Sequence, residues 1–427
     1  MYRDAMQELK DWKAKKDRKP LVLEGARQVG KTWLLKKFGE EAYENVVYVN
    51  LESDDSAREI FDGSFEPERI VARLAIHAET EIIPDKTLII IDEVQENTRA
   101  LTALKYFRET APEYHIAVAG SLLGVTLHEG VSYPVGQVDT IKIHPLCFNE
   151  FLRAAGKEKL AEALRVGDFE SIEPFHESLV EWLKIYMVVG GMPAVINKYL
   201  ETKTLVGVRE VQEKILHDYE KDFSKHAEKF DVLKIIEIFD ILPTILMKEN
   251  KKFMFGMIRK SARAREYESA LAWLTDAGIA TRVSRVNKLG LPLAAYMDRG
   301  AFKLFMVDVG LLGTKAGLRP ETIYNEEDFE EFKGAMAEQL VFQELTKAGR
   351  KLFYYSSDES DAEIDFVIDA EKGLTPIEVK SGRALVSASL KKTLAAKPKM
   401  KAVKMSMMPY KENERITNLP LYAAEKA

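Results

Sequence analysis

A single cysteine, Cys147, stands among 427 residues. That scarcity excludes an intrachain disulfide and any zinc centre built from several thiolates. The lone thiol reads as a small core side chain. Long apolar runs are missing too: nothing approaches the ~18 residues of a membrane-spanning helix. The opening MYRDAMQELKDWKAKKDRKP is polar where a secretory leader is apolar. The expectation is a cytoplasmic protein with no membrane partner. There is no excess of basic charge, since 62 Lys and Arg face 68 Asp and Glu, for a formal charge of -6. A general nucleic-acid coat is thereby excluded, and any DNA contact has to come from a local site. Internal repeats and low-complexity segments are also lacking.

What is present belongs to a globular chain. Apolar residues make up 46% and charged residues 30%, with a mean hydropathy of -0.21, and the length calls for two or three domains. The first part alternates helical patterns with the short apolar runs LVLEG, VVYVNLE, TLIIIDE, HIAVAGS and QVDTIKIHPL. Such runs predict an α/β fold with a parallel sheet covered on both faces. From Phe148 to about Lys203 the pattern turns helical and reads as a lid, giving a first domain over 1–204. Residues 205–300 read as helices followed by a small hairpin, the outline of an α+β winged helix. A turn-rich, acidic linker is expected over 301–325, and an α/β unit over 326–427.

The segment GARQVGKT, Gly25, Ala26, Arg27, Gln28, Val29, Gly30, Lys31 and Thr32, matches G-x-x-x-x-G-K-[ST] between a strand and a helix. Backbone N–H groups at a helix start face phosphates, Lys31 reaches the β and γ phosphates, and Thr32 ligates Mg²⁺. Asp92 and Glu93 close the apolar run LIII. In that position Asp92 suits holding Mg²⁺ through water, and Glu93 suits polarising the attacking water. Ser121, after the next strand, either touches the γ-phosphate or the water, or simply caps a helix. Asn50 is a candidate to orient Glu93, or else a turn residue. The expected cofactors are ATP and Mg²⁺.

These motifs, with AGSLLG, HPLCFNEFL, GGMPAVINKYL, FKLFMVDVGLL and PLYAA, resemble a prokaryotic family of AAA-type ATPases that carry a distinct C-terminal domain. The resemblance implies ATP binding and hydrolysis, and a homo-oligomer in which a neighbour's arginine completes the site. Arg27, Arg99 and Arg108 are the candidates for that finger.

In the middle region, Arg259, Lys260, Arg263 and Arg265 precede the helix EYESALAWL, where a DNA-binding winged helix places phosphate contacts. Glu266, Glu268 and Asp276 on that helix would repel phosphate. Arg282, Arg285 and Lys288 of the wing either grip DNA or serve the protein itself.

In the tail, AEIDFVIDAEKGLTPIEVKSG reads as two strands with charged faces. A turn centred between Glu371 and Lys372 sets Asp365 opposite Glu378 and Glu363 opposite Lys380. Directly opposite Cβ atoms lie about 5 Å apart, so Asp365 and Glu378 are placed to share Mg²⁺, with Lys380 beside the water. Glu338 falls on the apolar stripe of the preceding helix, where a carboxylate needs a partner. Glu338, Asp365 and Glu378-x-Lys380 resemble the PD-(D/E)XK, or restriction-endonuclease-like, signature, although Ile364 stands where the pattern has proline. The resemblance implies a nuclease fold and DNA as partner. Three readings compete: an ATPase whose tail cuts DNA, a nucleotide-driven switch whose winged helix and silent tail bind a protein partner, and an assembly held together by ATP.

Overall fold

A computed structural model describes the chain apart from residues 127–133, 249–250, 322–325, 359–361, 371–372 and 383–387. It contains two compact units, Met1–His144 with Asp276–Gly278, and Pro145–Thr275 with Ile279–Ala427.

The first unit is built on five parallel strands: β1 (Leu21–Glu24), β2 (Asn45–Asn50), β3 (Thr87–Asp92), β4 (His115–Ala119) and β5 (Asp139–Lys142). They lie in the order β2-β3-β4-β1-β5. Every residue of β3 and β4 is buried, as expected of central strands covered on both faces. Helices Lys31–Ala42 and Thr98–Thr110 supply the cover through Leu34, Leu35 and Phe38 and through Leu101, Leu104 and Phe107. Nucleotide-sized ligands bind such sheets beyond the carboxyl ends of the strands, and β1 and β3 end there on the loop 25–30 and on Asp92.

The second unit is organised around one mixed sheet of seven strands. These are β6 (Ala280–Val286), β7 (Met297–Met306), β8 (Phe353–Ser356), β9 (Glu363–Ala370), β10 (Gly373–Val379), β11 (Ala402–Ser406) and β12 (Ile416–Pro420). Their order is β12-β11-β10-β9-β8-β6-β7. The strands expected to form an isolated wing, β6 and β7, therefore continue the sheet of the tail, with β6 parallel to β8. Val286, Leu289 and Leu293 share a core with Phe353, Ile364, Val367 and Leu390. The stretch expected as a linker from 301 is likewise structured at its start. β7 runs to Met306, and helix Val309–Lys315 follows, capped by Asp308, which accepts from Leu311 N–H at 3.0 Å. The helices expected as a lid also belong to this unit: Tyr186 donates to the Leu146 carbonyl, and Gln343 donates to Tyr186 at 2.7 Å.

The β9/β10 hairpin keeps the expected register. Leu374 faces Asp369 and Ile377 faces Phe366, and one further step sets Glu378 against Asp365. Its turn at 371–372 lies outside the described residues.

Candidate functional site

The phosphate loop is shaped by backbone that side chains resist. Gly25 has φ 142°, and a Cβ there would lie 2.2 Å from the Ile143 carbonyl oxygen. Gly30, at φ 93°, turns the chain into helix Lys31–Ala42, and Gln28 also sits at positive φ. The ring of amides so formed opens directly onto a helix N-terminus. Lys31 is 7% exposed and donates back to the Gly25 and Ala26 carbonyls at 2.8 and 2.9 Å. Burial pulls its ammonium down to about 8 against the opposing influence of Glu93 and Asp92.

The end of β3 meets the loop. Thr32 Oγ1 donates to Asp92 Oδ2 at 2.7 Å, and Tyr48 donates to the same oxygen at 3.0 Å. Burial and the nearby Asp92 carboxylate push the Tyr48 phenol up to about 12. Glu93, at φ 50°, accepts from Gln95 Nε2 at 2.7 Å and from Ser121 Oγ at 3.1 Å. The structure thus joins Lys31, Thr32, Asp92, Glu93 and Ser121, and it adds Tyr48 and Gln95, for which no role was expected. A hydroxyl and a carboxylate at the mouth of an amide ring form a hard-oxygen donor pair suited to Mg²⁺, and buried Lys31 is a cation suited to phosphate.

Asn50 does not reach Glu93. Its Oδ1 accepts from Glu52 and Ser53 N–H, both at 2.9 Å, closing a turn, and its amide donates to Tyr48 at 3.3 Å. Arg99 is engaged within its own unit, donating to the Phe61 and Gly63 carbonyls at 3.0 and 2.6 Å. Arg108 donates to the Arg18 carbonyl at 3.4 Å. In the middle region, Arg282 pairs with Glu268 at 3.2 Å, and Arg285 pairs with Asp298 at 3.3 Å and with Asp358.

The tail places Glu338, on helix Glu326–Lys347, beside Asp365. Glu338 is 4% exposed. Its Oε1 is 2.5 Å from Lys251 Nζ, and its Oε2 is 3.9 Å from Lys303 Nζ without a hydrogen bond. Burial opposes its ionisation, but the two ammonium groups outweigh that and hold it below the usual carboxylate range. Asp365 moves the other way, raised by burial and by the charge of Glu338. Asp365 Oδ2 accepts from Val379 N–H at 2.8 Å, and buried Glu378 lies 3.2 Å from Lys380. Lys303 also pairs with Glu363 at 2.9 Å. The cations in this cluster are lysines, two of which, Lys251 and Lys303, carried no sequence expectation. Among the described residues, no convergent set of three ligand atoms includes Glu338, Asp365 or Glu378. No helix among the described residues is long and apolar enough to cross a membrane.

Comparison with known proteins matches three stretches of the chain. Residues 17–152 match the family model described as AAA domain. Residues 180–322 and 333–423 match two domains of unknown function, DUF8612 and DUF4143. No curated protein matches the sequence. Solved structures similar to this chain include the Walker-type ATPase of Pyrococcus abyssi, at 14% identity and TM-score 0.46, over 73% of this chain and 94% of that one. AMPPCP-bound DnaA of Aquifex aeolicus follows at 17% identity and TM-score 0.27, over 62% and 81%. The Aeropyrum pernix ORC1 protein in complex with DNA follows at 13% identity and TM-score 0.26, over 74% and 93%. Residues 17–152 are thus similar to an AAA domain, and the five-stranded parallel sheet that carries the phosphate loop has the α/β fold of a P-loop NTPase.

Proposed function

We propose that the chain hydrolyses ATP at the loop 25–32 in a Mg²⁺-dependent reaction. The observation that carries this reading is the 2.7 Å contact between Thr32 and Asp92, which brings the loop and the β3 terminus to one point with Glu93 adjacent. Amides of Gly25 to Thr32 and the Lys31 ammonium bind the phosphates. Thr32 and Asp92 are the residues that would hold the metal, which would supply neutralising charge for the phosphates. Glu93 takes up a proton from the attacking water. Replacing Glu93 by Gln should lower phosphate release about 10²- to 10⁴-fold while ATP binding persists. Turnover at the wild-type rate would refute the reading.

The further proposal is that turnover acts through the middle region and the tail in a cytoplasmic homo-oligomer, with DNA as the partner and the tail as a PD-(D/E)XK-like nuclease. A specific observation favours a second reading, in which the tail does not cut and the chain is a nucleotide-driven switch for a protein partner. Two lysines, Lys251 and Lys303, already meet the charge of Glu338, the carboxylate beside Asp365, which the nuclease reading assigns to a divalent cation. Incubating plasmid and linear DNA with Mg²⁺ or Mn²⁺, with and without ATP, separates the two. Cutting abolished by Asp365→Ala and Lys380→Ala supports the nuclease, and intact DNA in every state supports the switch.

A further inference from the structure

Glu93 is held in a backbone conformation that a non-glycine residue adopts only when its surroundings impose it. The surroundings include two side chains that converge on one atom: Gln95 Nε2 at 2.7 Å and Ser121 Oγ at 3.1 Å both donate to Glu93 Oε2. Among the described residues, Glu93 Oε1 accepts no hydrogen bond. Gln95 lies two residues on, in the single turn of 3₁₀ helix Val94–Glu96, and this turn folds its amide back over the carboxylate. The reverse amide orientation would press oxygen against the carboxylate, so the N–H-to-oxygen pairing is the one the chemistry requires.

The seat of that amide is specific. Gln95 Oε1 is buried and has no hydrogen-bond partner among the described residues. It packs against Gly120, where a Cβ would lie 2.6 Å from it. Any side chain at 120 would therefore displace the Gln95 amide.

We propose that Gln95 is a positioning residue for hydrolysis. With Ser121 it fixes one carboxylate oxygen of Glu93, so that the other, Oε1, is presented to the attacking water. The proposal rests on the hydrolytic reading above and adds to it a role for a residue that the hydrolytic reading leaves without one. Because Gln95 is assigned no contact with the nucleotide, its loss should act on the chemical step rather than on ATP binding. Angular freedom at a general base is worth about 10- to 100-fold in rate.

The test compares Gln95→Ala, Gln95→Glu and Glu93→Gln with the wild-type full-length chain in steady-state phosphate release, fluorescent ATP-analogue binding and thermal melting. Gln95→Glu keeps the side-chain volume but sets an acceptor against Glu93. A packing role would survive it, whereas a positioning role would not. The expected result is a fall in kcat of about 10- to 100-fold in both Gln95 variants, with KM and analogue affinity within about twofold and melting preserved in Gln95→Glu. The proposal is overturned if Gln95→Glu keeps wild-type kcat, or if affinity falls in step with rate. If Glu93→Gln itself turns over normally, the hydrolytic reading fails. If Glu93→Gln is inactive while both Gln95 variants run at the wild-type rate, only the positioning role fails.

Discussion

Lys303 interrupts the apolar run AFKLFM in β7 with 1% of its surface exposed. Burial lowers the affinity of its ammonium for the proton, yet Glu338, Asp365 and Glu363 together hold it above the usual lysine range. Removing one member of such a set strands the rest without compensation. Lys303→Met should cost about 3–5 kcal/mol by chemical denaturation, and the double variant Lys303→Met with Glu338→Gln should recover part of that loss. Equal losses in the single and double variants would mean that the cluster is not electrostatically coupled. A lysine inside a buried apolar strand was itself a signal, because such a cation requires carboxylates around it. Lys31, Thr32, Asp92 and Glu93 were legible because loop geometry and phosphate chemistry fix their spacing. Tyr48 and Gln95 were not, since a polar residue near a strand end has the same local pattern whether it faces water or a site.

The helix Glu326–Lys347 shows why its sequence resists simple amphipathic reading. Its buried face carries polar residues, and after Glu338, which meets lysines, three of them meet a neighbouring backbone. Gln339 accepts from Met306 N–H at 3.0 Å and donates to the Met306 carbonyl at 2.7 Å, as a paired strand would. Gln343 accepts from Val309 N–H at 3.0 Å, and Glu344 accepts from Phe148 N–H at 2.9 Å. Burial, reinforced by the charge of Glu425, raises Glu344 to about 8 from an ordinary 4.5. A carboxyl with a raised folded-state value contributes stability that is complete below the unfolded value and is lost as pH rises through the folded one. The loss therefore runs between about pH 4.5 and 8. Glu344→Gln removes the titration and keeps an acceptor, so between pH 5 and 9 it should gain roughly 2–4 kcal/mol on the wild type. Denaturation midpoints that run parallel across that range would contradict the assignment. Local periodicity revealed that a helix was present. The carbonyls and amides its glutamines would meet lie some thirty residues earlier, outside any local window.

At the scale of the molecule, the parallel sheet and the β9/β10 register could be read ahead of the structure because both follow from short-range rules: buried apolar runs and two-residue alternation. The joining of β6 and β7 to β8 could not, since Ser284 pairs with Phe353 across a sequence gap that no local pattern spans. This union has a consequence for dissection of the chain. A fragment of residues 326–427 would expose the edge of β8, where unpaired N–H and C=O groups invite aggregation. It would also lose Val286, Leu289 and Leu293 from the core they share with Phe353, Ile364 and Leu390. Each of those side chains represents about 1.5–3 kcal/mol of burial, so their combined loss takes a large part of the 5–15 kcal/mol that holds a typical domain folded. Residues 145–427 retain the whole seven-stranded sheet. Expressed side by side, the longer fragment should melt cooperatively by circular dichroism, whereas the shorter one should aggregate or show no transition. A shorter fragment that melts as sharply as the longer one would establish the tail as an autonomous domain and confine β6 and β7 to the helices before them.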